Sequence, residues 1–168
     1  MRASLCTAVL WGALLAAPAA AAPGAQMPPG AVVLPGAEMD AILQQCSRGV
    51  PARGEATWQP TAADILTLEA ALPQALEHAR PVQRVAWDPA KWEREYVGIV
   101  RHGRRFIYGN FVPARIMADG RAWARRDPRL AKRMEGPTVV CDGGSAFFGA
   151  EYDVAGHRFT QVDFNGYA

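Results

Sequence analysis

The chain predicts an α+β domain, with helices packed on one face of a curved antiparallel sheet of about five strands. Three observations carry this: a helical period across residues 61–79, two strand-like runs on either side of His102-Gly103, and a return to strand-like composition after Pro137. The 168 residues, 50% hydrophobic and 20% charged, exclude disorder and collagen and suffice for one domain with a sizeable core. Eighteen Lys and Arg stand against 16 Asp and Glu, a balance that points neither to a nucleic-acid binder nor to a supercharged surface.

Residues 1–21 read as a signal peptide. Arg2 supplies the positive start, the run from Ala8 to Ala17 is a short apolar segment, and Ala19 and Ala21 satisfy the small-residue rule for cleavage after Ala21. A membrane span needs about 20 apolar residues, so the mature chain is expected to carry no transmembrane segment. Cys6 precedes the apolar run and is not placed for lipidation. The expected location is periplasmic or secreted. Residues 22–36 are uncharged and rich in Pro, Gly and Ala, and read as a flexible tether, leaving 37–168 as a single domain.

Cleavage leaves two cysteines, Cys46 and Cys141, in an oxidising compartment, and two thiols allow one intrachain pairing. The expected disulfide closes a loop of roughly 95 residues, worth about 4–5 kcal/mol in the chain-entropy model.

The elements follow in order. Met39, Ile42, Leu43 and Cys46 fall at i, i+3, i+4 and i+7, one face of a short helix that Gly49 and Pro51 end, which turns Cys46 toward the core. Residues 48–60 read as a loop. Thr61-Ala62-Ala63-Asp64 resembles a capping box with Asp in place of Glu, and Ile65, Leu68, Leu72, Leu76 and Ala79 continue a helix of some 18 residues that Pro73 is expected to kink. Trp87 and Trp92 flank the Asp88-Pro89 turn signal. Residues 95–100 and 104–108 form a hairpin across His102-Gly103. Residues 113–134 lose strand character and predict one or two short helices broken at Asp127-Pro128. Strands are then expected at 138–141, 145–153 and 157–165, joined by turns at Asp142-Gly143-Gly144 and Val154-Ala155-Gly156. This order of elements resembles the cystatin-like arrangement, a curved antiparallel sheet around a long helix. The likeness rests on layout and assigns no residue a role.

Strong catalytic motifs are absent: there is no G-x-S-x-G, P-loop, H-E-x-x-H or C-x-x-C. His78, His102 and His157 fall at a helix end, a turn and a strand start, so no metal site and no cofactor is expected. Asp142 and Ser145 flank a Gly pair whose amides could hold an anion, and with His157 as base they define a hydrolase reading. As structure, the same string is a turn after a disulfide cysteine, and that reading is preferred. Trp58, Trp87, Trp92 and Trp123 fall in loops or at element ends, where an indole plugs a small core or stacks on a ligand.

Charge is segregated. From Arg101 to Arg133 ten basic residues meet two acidic ones, whereas the flanking segments are net acidic. Either these arginines pair internally with Glu151, Asp153 and Asp163, or they face an anionic partner with the bidentate contacts that favour Arg over Lys. The candidate binding residues are Arg104, Arg105, Arg115, Arg121, Arg125, Arg126 and Arg129. The expected function is that of a small, exported, non-enzymatic cell-envelope protein that binds a protein or an anionic envelope component, with inhibition of a hydrolase as one form. The rivals are the Asp142/Ser145/His157 hydrolase and a structural subunit of an envelope assembly that uses an exposed strand edge.

Overall fold

Two ten-residue strands, β3 (Trp92–Arg101) and β4 (Arg104–Pro113), form the spine of the protein. In the computed structural model, which describes residues 24–79 and 87–167, they pair antiparallel along their full length, and His102 (φ 53°) and Gly103 (φ 69°) make the two-residue turn between them. Positive φ at both turn positions matches the twist of the strands it joins. The strands β5 (Phe148–Asp153) and β6 (Arg158–Phe164) extend the sheet from β4, each antiparallel to its neighbour.

The opposite edge of β3 is covered by two short strands. β1 (Ala31–Val33) runs parallel beside Arg94–Tyr96, and β2 (Ala56–Trp58) runs antiparallel beside Gly98–Val100. A Cβ at Gly98 would lie 2.2 Å from the Trp58 carbonyl oxygen, so only glycine admits that approach. The result is a six-stranded, mixed but mostly antiparallel sheet with α-helices packed on it, an α+β fold.

Several expectations need correcting. Ala31–Val33, placed by sequence in the tether, form a strand, and Ala56–Trp58, placed in a loop, form another. Three residues are too few to show a period. The segment 138–141 is not a strand. Its backbone is held by side chains instead: Asn110 Nδ2 and Gln45 Nε2 donate to the Thr138 carbonyl, and Asn165 Nδ2 donates to that of Val140. The signal-peptide segment 1–21 lies outside the described residues.

On one face of the sheet lies α2 (Ala62–Ala79), which continues through Pro73 without a break. The expected capping box closes it: the Thr61 N–H donates to Asp64 Oδ2 at 2.8 Å and the Asp64 N–H to Thr61 Oγ1 at 3.3 Å. Ile65, Leu68, Leu72 and Leu76 meet Trp92, Tyr96, Ile107, Phe111, Phe148, Ala150, Tyr152 and Phe164 in the main core, where Phe111 and Phe148 stack at 4.3 Å. The alternate strand positions face the other way. There Val97, Ile99, Phe106 and Tyr108 pack on α1 (Met39–Ile42), so helices occupy both faces rather than one. The first helix is shorter than its apolar spacing suggested, and Cys46, beyond its end, is exposed rather than turned inward. It is nonetheless bonded to Cys141, 95 residues away.

After β4 the chain forms α3 (Ala114–Ala124) and α4 (Pro128–Arg133), with Asp127 capping α4 by accepting from the Arg129 N–H at 2.9 Å. At the other end of the sheet, β6 carries a bulge. Gln161 opposes Glu151 and Phe159 opposes Tyr152, leaving Thr160 as an extra residue whose hydroxyl donates to the Glu151 carboxylate at 2.7 Å.

Candidate functional site

The sheet divides the arginine-rich run into two groups. Register places Asp153 of β5 opposite Phe106, two residues from Arg104, and Glu151 opposite Tyr108. Arg104 Nη2 donates to the buried Asp153 carboxylate, and Arg101 Nη2 donates to both oxygens of Glu151 at 2.8 and 2.9 Å. Arg105 lies over the Trp58 ring at 5.1 Å. Arg121 pairs with Glu93 of β3, whose hydrogen bonds hold the guanidinium pKa above its ordinary value. Arg104, Arg105 and Arg121 are therefore engaged within the protein. Asp163, the third acidic partner expected for the run, accepts from Gln161 instead.

The second group is exposed. Arg115, Arg125, Arg126 and Arg129 reach solvent, and among the described residues their side chains have no ion-pair or hydrogen-bond partner. They belong to a lobe built from α3 and α4. No residue of α3 is buried, and a groove of about 470 Å³ between the helices is lined by Met117, Ala124, Ala131 and Met134 together with Arg121 and Arg125. Ile116 is 38% exposed and Trp123 is 70% exposed. Seven residues apart on one helix, they share a stripe, since seven steps of about 100° return within roughly 20° of the start. The other described indoles differ. Trp92 is buried, Trp87 and Trp58 are half-buried, and Trp58 Nε1 donates to the Phe106 carbonyl at 3.0 Å.

Sequence reading missed two buried polar clusters. Arg94, fully buried, donates through Nε and Nη2 to Glu69 at 3.0 and 3.3 Å and through Nη1 to the carbonyls of Pro89 and Trp92, both at 2.7 Å. The Tyr96 hydroxyl donates to the same carboxylate at 2.8 Å, and burial, then the charge of Glu69, raises its pKa well above the usual range. A signal existed: Glu69 stands at i+4 from Ile65 on the apolar stripe of α2, where a carboxylate needs a buried partner. On the opposite face Arg48 donates to Asn110 Oδ1 at 2.5 Å and to Asn165 Oδ1 at 2.8 Å. Asn110 Nδ2 and Thr138 donate to Glu95, giving its two oxygens four close contacts. Those contacts satisfy the carboxylate and mark this cluster as a clamp on the 138–142 segment.

The hydrolase residues are not brought together. Ser145 precedes β5 and contacts the Tyr167 hydroxyl at 3.4 Å, whereas His157 follows the far end of β5. β5, six residues and about 17 Å long, runs between the end of the sheet where Ser145 lies and the end where His157 lies. Gly143 (φ 90°) and Gly144 (φ 56°) have left-handed backbone, and a Cβ on Gly144 would collide with the Tyr167 ring. Among the described residues no three His, Cys, Asp or Glu gather as a metal site, and no helix is long and apolar enough to cross a membrane. Comparison with family models, with curated proteins and with solved structures yields no match.

Proposed function

We propose that the protein is an exported, non-enzymatic component of the cell envelope that binds an anionic envelope constituent through the α3–α4 lobe. One observation carries this reading: among the described residues four arginines on the lobe lack partners, while the acidic side chains that pair with arginines of the basic run, Glu93, Glu151 and Asp153, are taken by Arg121, Arg101 and Arg104. Unpaired guanidinium groups gathered on one surface raise the local concentration of anions and favour carboxylate and phosphate ligands. The leader-like residues 1–21 and the disulfide agree with a site of action outside the cytosol. Inhibition of an acidic-faced hydrolase is one form that such binding would take.

The test uses heparin as a soluble polyanion. Retention should fall steeply with salt and drop further in Arg125→Glu/Arg126→Glu, with the circular dichroism spectrum unchanged. Arg104→Glu should instead destabilise the fold, because it leaves Asp153 buried beside a like charge. Retention of the double variant equal to that of the parent would sink the proposal.

A further inference from the structure

Resting on that reading, we infer that the anionic constituent is the headgroup surface of a lipid bilayer, and that α3 lies on it with Ile116 and Trp123 inserted. A polyanion alone would use the arginines and leave these two side chains without a role. Trp123 is the most exposed indole described, and the α3 stripe it shares with Ile116 contributes no buried residue to the core. The two lie about 10 Å apart along the helix axis. Arg115 and Asp119 form the adjoining row of α3, and Arg125, Arg126 and Arg129 follow at the turn and in α4. Asp119 is the single acidic residue of that row.

This is the pattern of an interfacial helix, with an indole and an aliphatic side chain at acyl depth and guanidinium groups at the phosphates. A stable protein interface requires roughly 800 Å² per partner with a packed apolar centre, and two spaced side chains on a convex helix do not supply one. A bilayer has no shape to match. It accepts single inserted side chains, and its negative potential supplies the complementary charge.

The experiment measures co-sedimentation of the purified chain with vesicles of phosphatidylglycerol mixed with phosphatidylcholine, with pure phosphatidylcholine vesicles, and with heparin in solution. Residues 1–21, which include Trp11, are common to every variant, so each effect is read as the difference from the parent. Mixed vesicles should bind the protein more tightly than pure phosphatidylcholine, and the difference should shrink in Arg125→Glu/Arg126→Glu. Trp123→Ser should weaken vesicle binding about tenfold and leave heparin binding unchanged. Brominated acyl chains should quench the emission of the parent, and Trp123→Phe should lose the share of that quenching that belongs to Trp123 while staying bound. If heparin binding depends on Arg125 and Arg126 but vesicle binding and quenching are the same in the Trp123 variants as in the parent, the bilayer inference is overturned and the anion-binding role stands. If neither anion binds, both fail.

Discussion

Tyr96 and Tyr108 occupy neighbouring strands, both buried, with hydroxyls in opposite circumstances. That of Tyr96 donates to Glu69, while among the described residues that of Tyr108 has no partner. Burial raises both pKa values, so neither phenol ionises at neutral pH. A hydrogen bond to a charged acceptor is worth about 1.5–3 kcal/mol, whereas an unmade one contributes nothing and carries a desolvation cost. Tyr96→Phe should therefore lower stability by about 1.5–3 kcal/mol, and Tyr108→Phe should leave it unchanged or slightly raised. Urea denaturation of the two variants measures the contrast, and equal losses would contradict it.

Among the elements, α2 is joined to β3 by more than its leucines. The Arg94–Glu69 pair lies beside the main core, with both groups removed from water and four hydrogen bonds donated by the guanidinium. Breaking such a pair from one side leaves an uncompensated buried charge at a cost of about 3–5 kcal/mol, whereas replacing both partners with apolar groups is close to neutral. Arg94→Met should thus be severely destabilising, and Arg94→Met/Glu69→Leu should recover most of the loss in thermal melting. A double variant as unstable as the single would show that the pair itself, rather than charge balance, holds the helix.

The same elements show what the sequence made readable. α2 was legible because its period repeats over 18 residues behind a capping box, and the β3–β4 hairpin because a two-residue turn dictates its register. β1 and β2 were not, since three residues carry no period and their partners on β3 lie far along the chain. The apolar spacing of Met39, Ile42 and Leu43 was real, but the helix ends before Cys46. Sequence also located the cationic run without dividing it. Which arginines are neutralised depends on where β5 sets Glu151 and Asp153 beside β4, and where β3 sets Glu93 beside α3. That is a property of register between strands some 45 residues apart in sequence, to which local composition is blind.

Across the whole molecule, the Cys46–Cys141 bond joins the segment after α1 to the segment before β5, two connections that otherwise meet through Gln45, Arg48, Asn165 and Thr138. Closing 95 residues restricts the unfolded chain by about 4–5 kcal/mol. Reduction, or Cys46→Ser/Cys141→Ser, should move the urea midpoint down by the corresponding amount and steepen the slope, because the released unfolded chain exposes more surface. An unchanged midpoint would mean that the polar clamp beneath the bond holds these segments unaided. The lobe that carries the unpaired arginines adds no buried residue from α3, so its surface changes should be nearly silent in the same titration.

The extra residue at Thr160 bears on how the protein behaves in a crowded compartment. β1 and β2 shelter one border of the sheet, but β6 leaves the other border with backbone groups that a second chain could recruit. A kinked border resists such stacking because straight neighbours cannot follow its register. That irregularity spends one ladder position to keep concentrated protein from zipping into fibres.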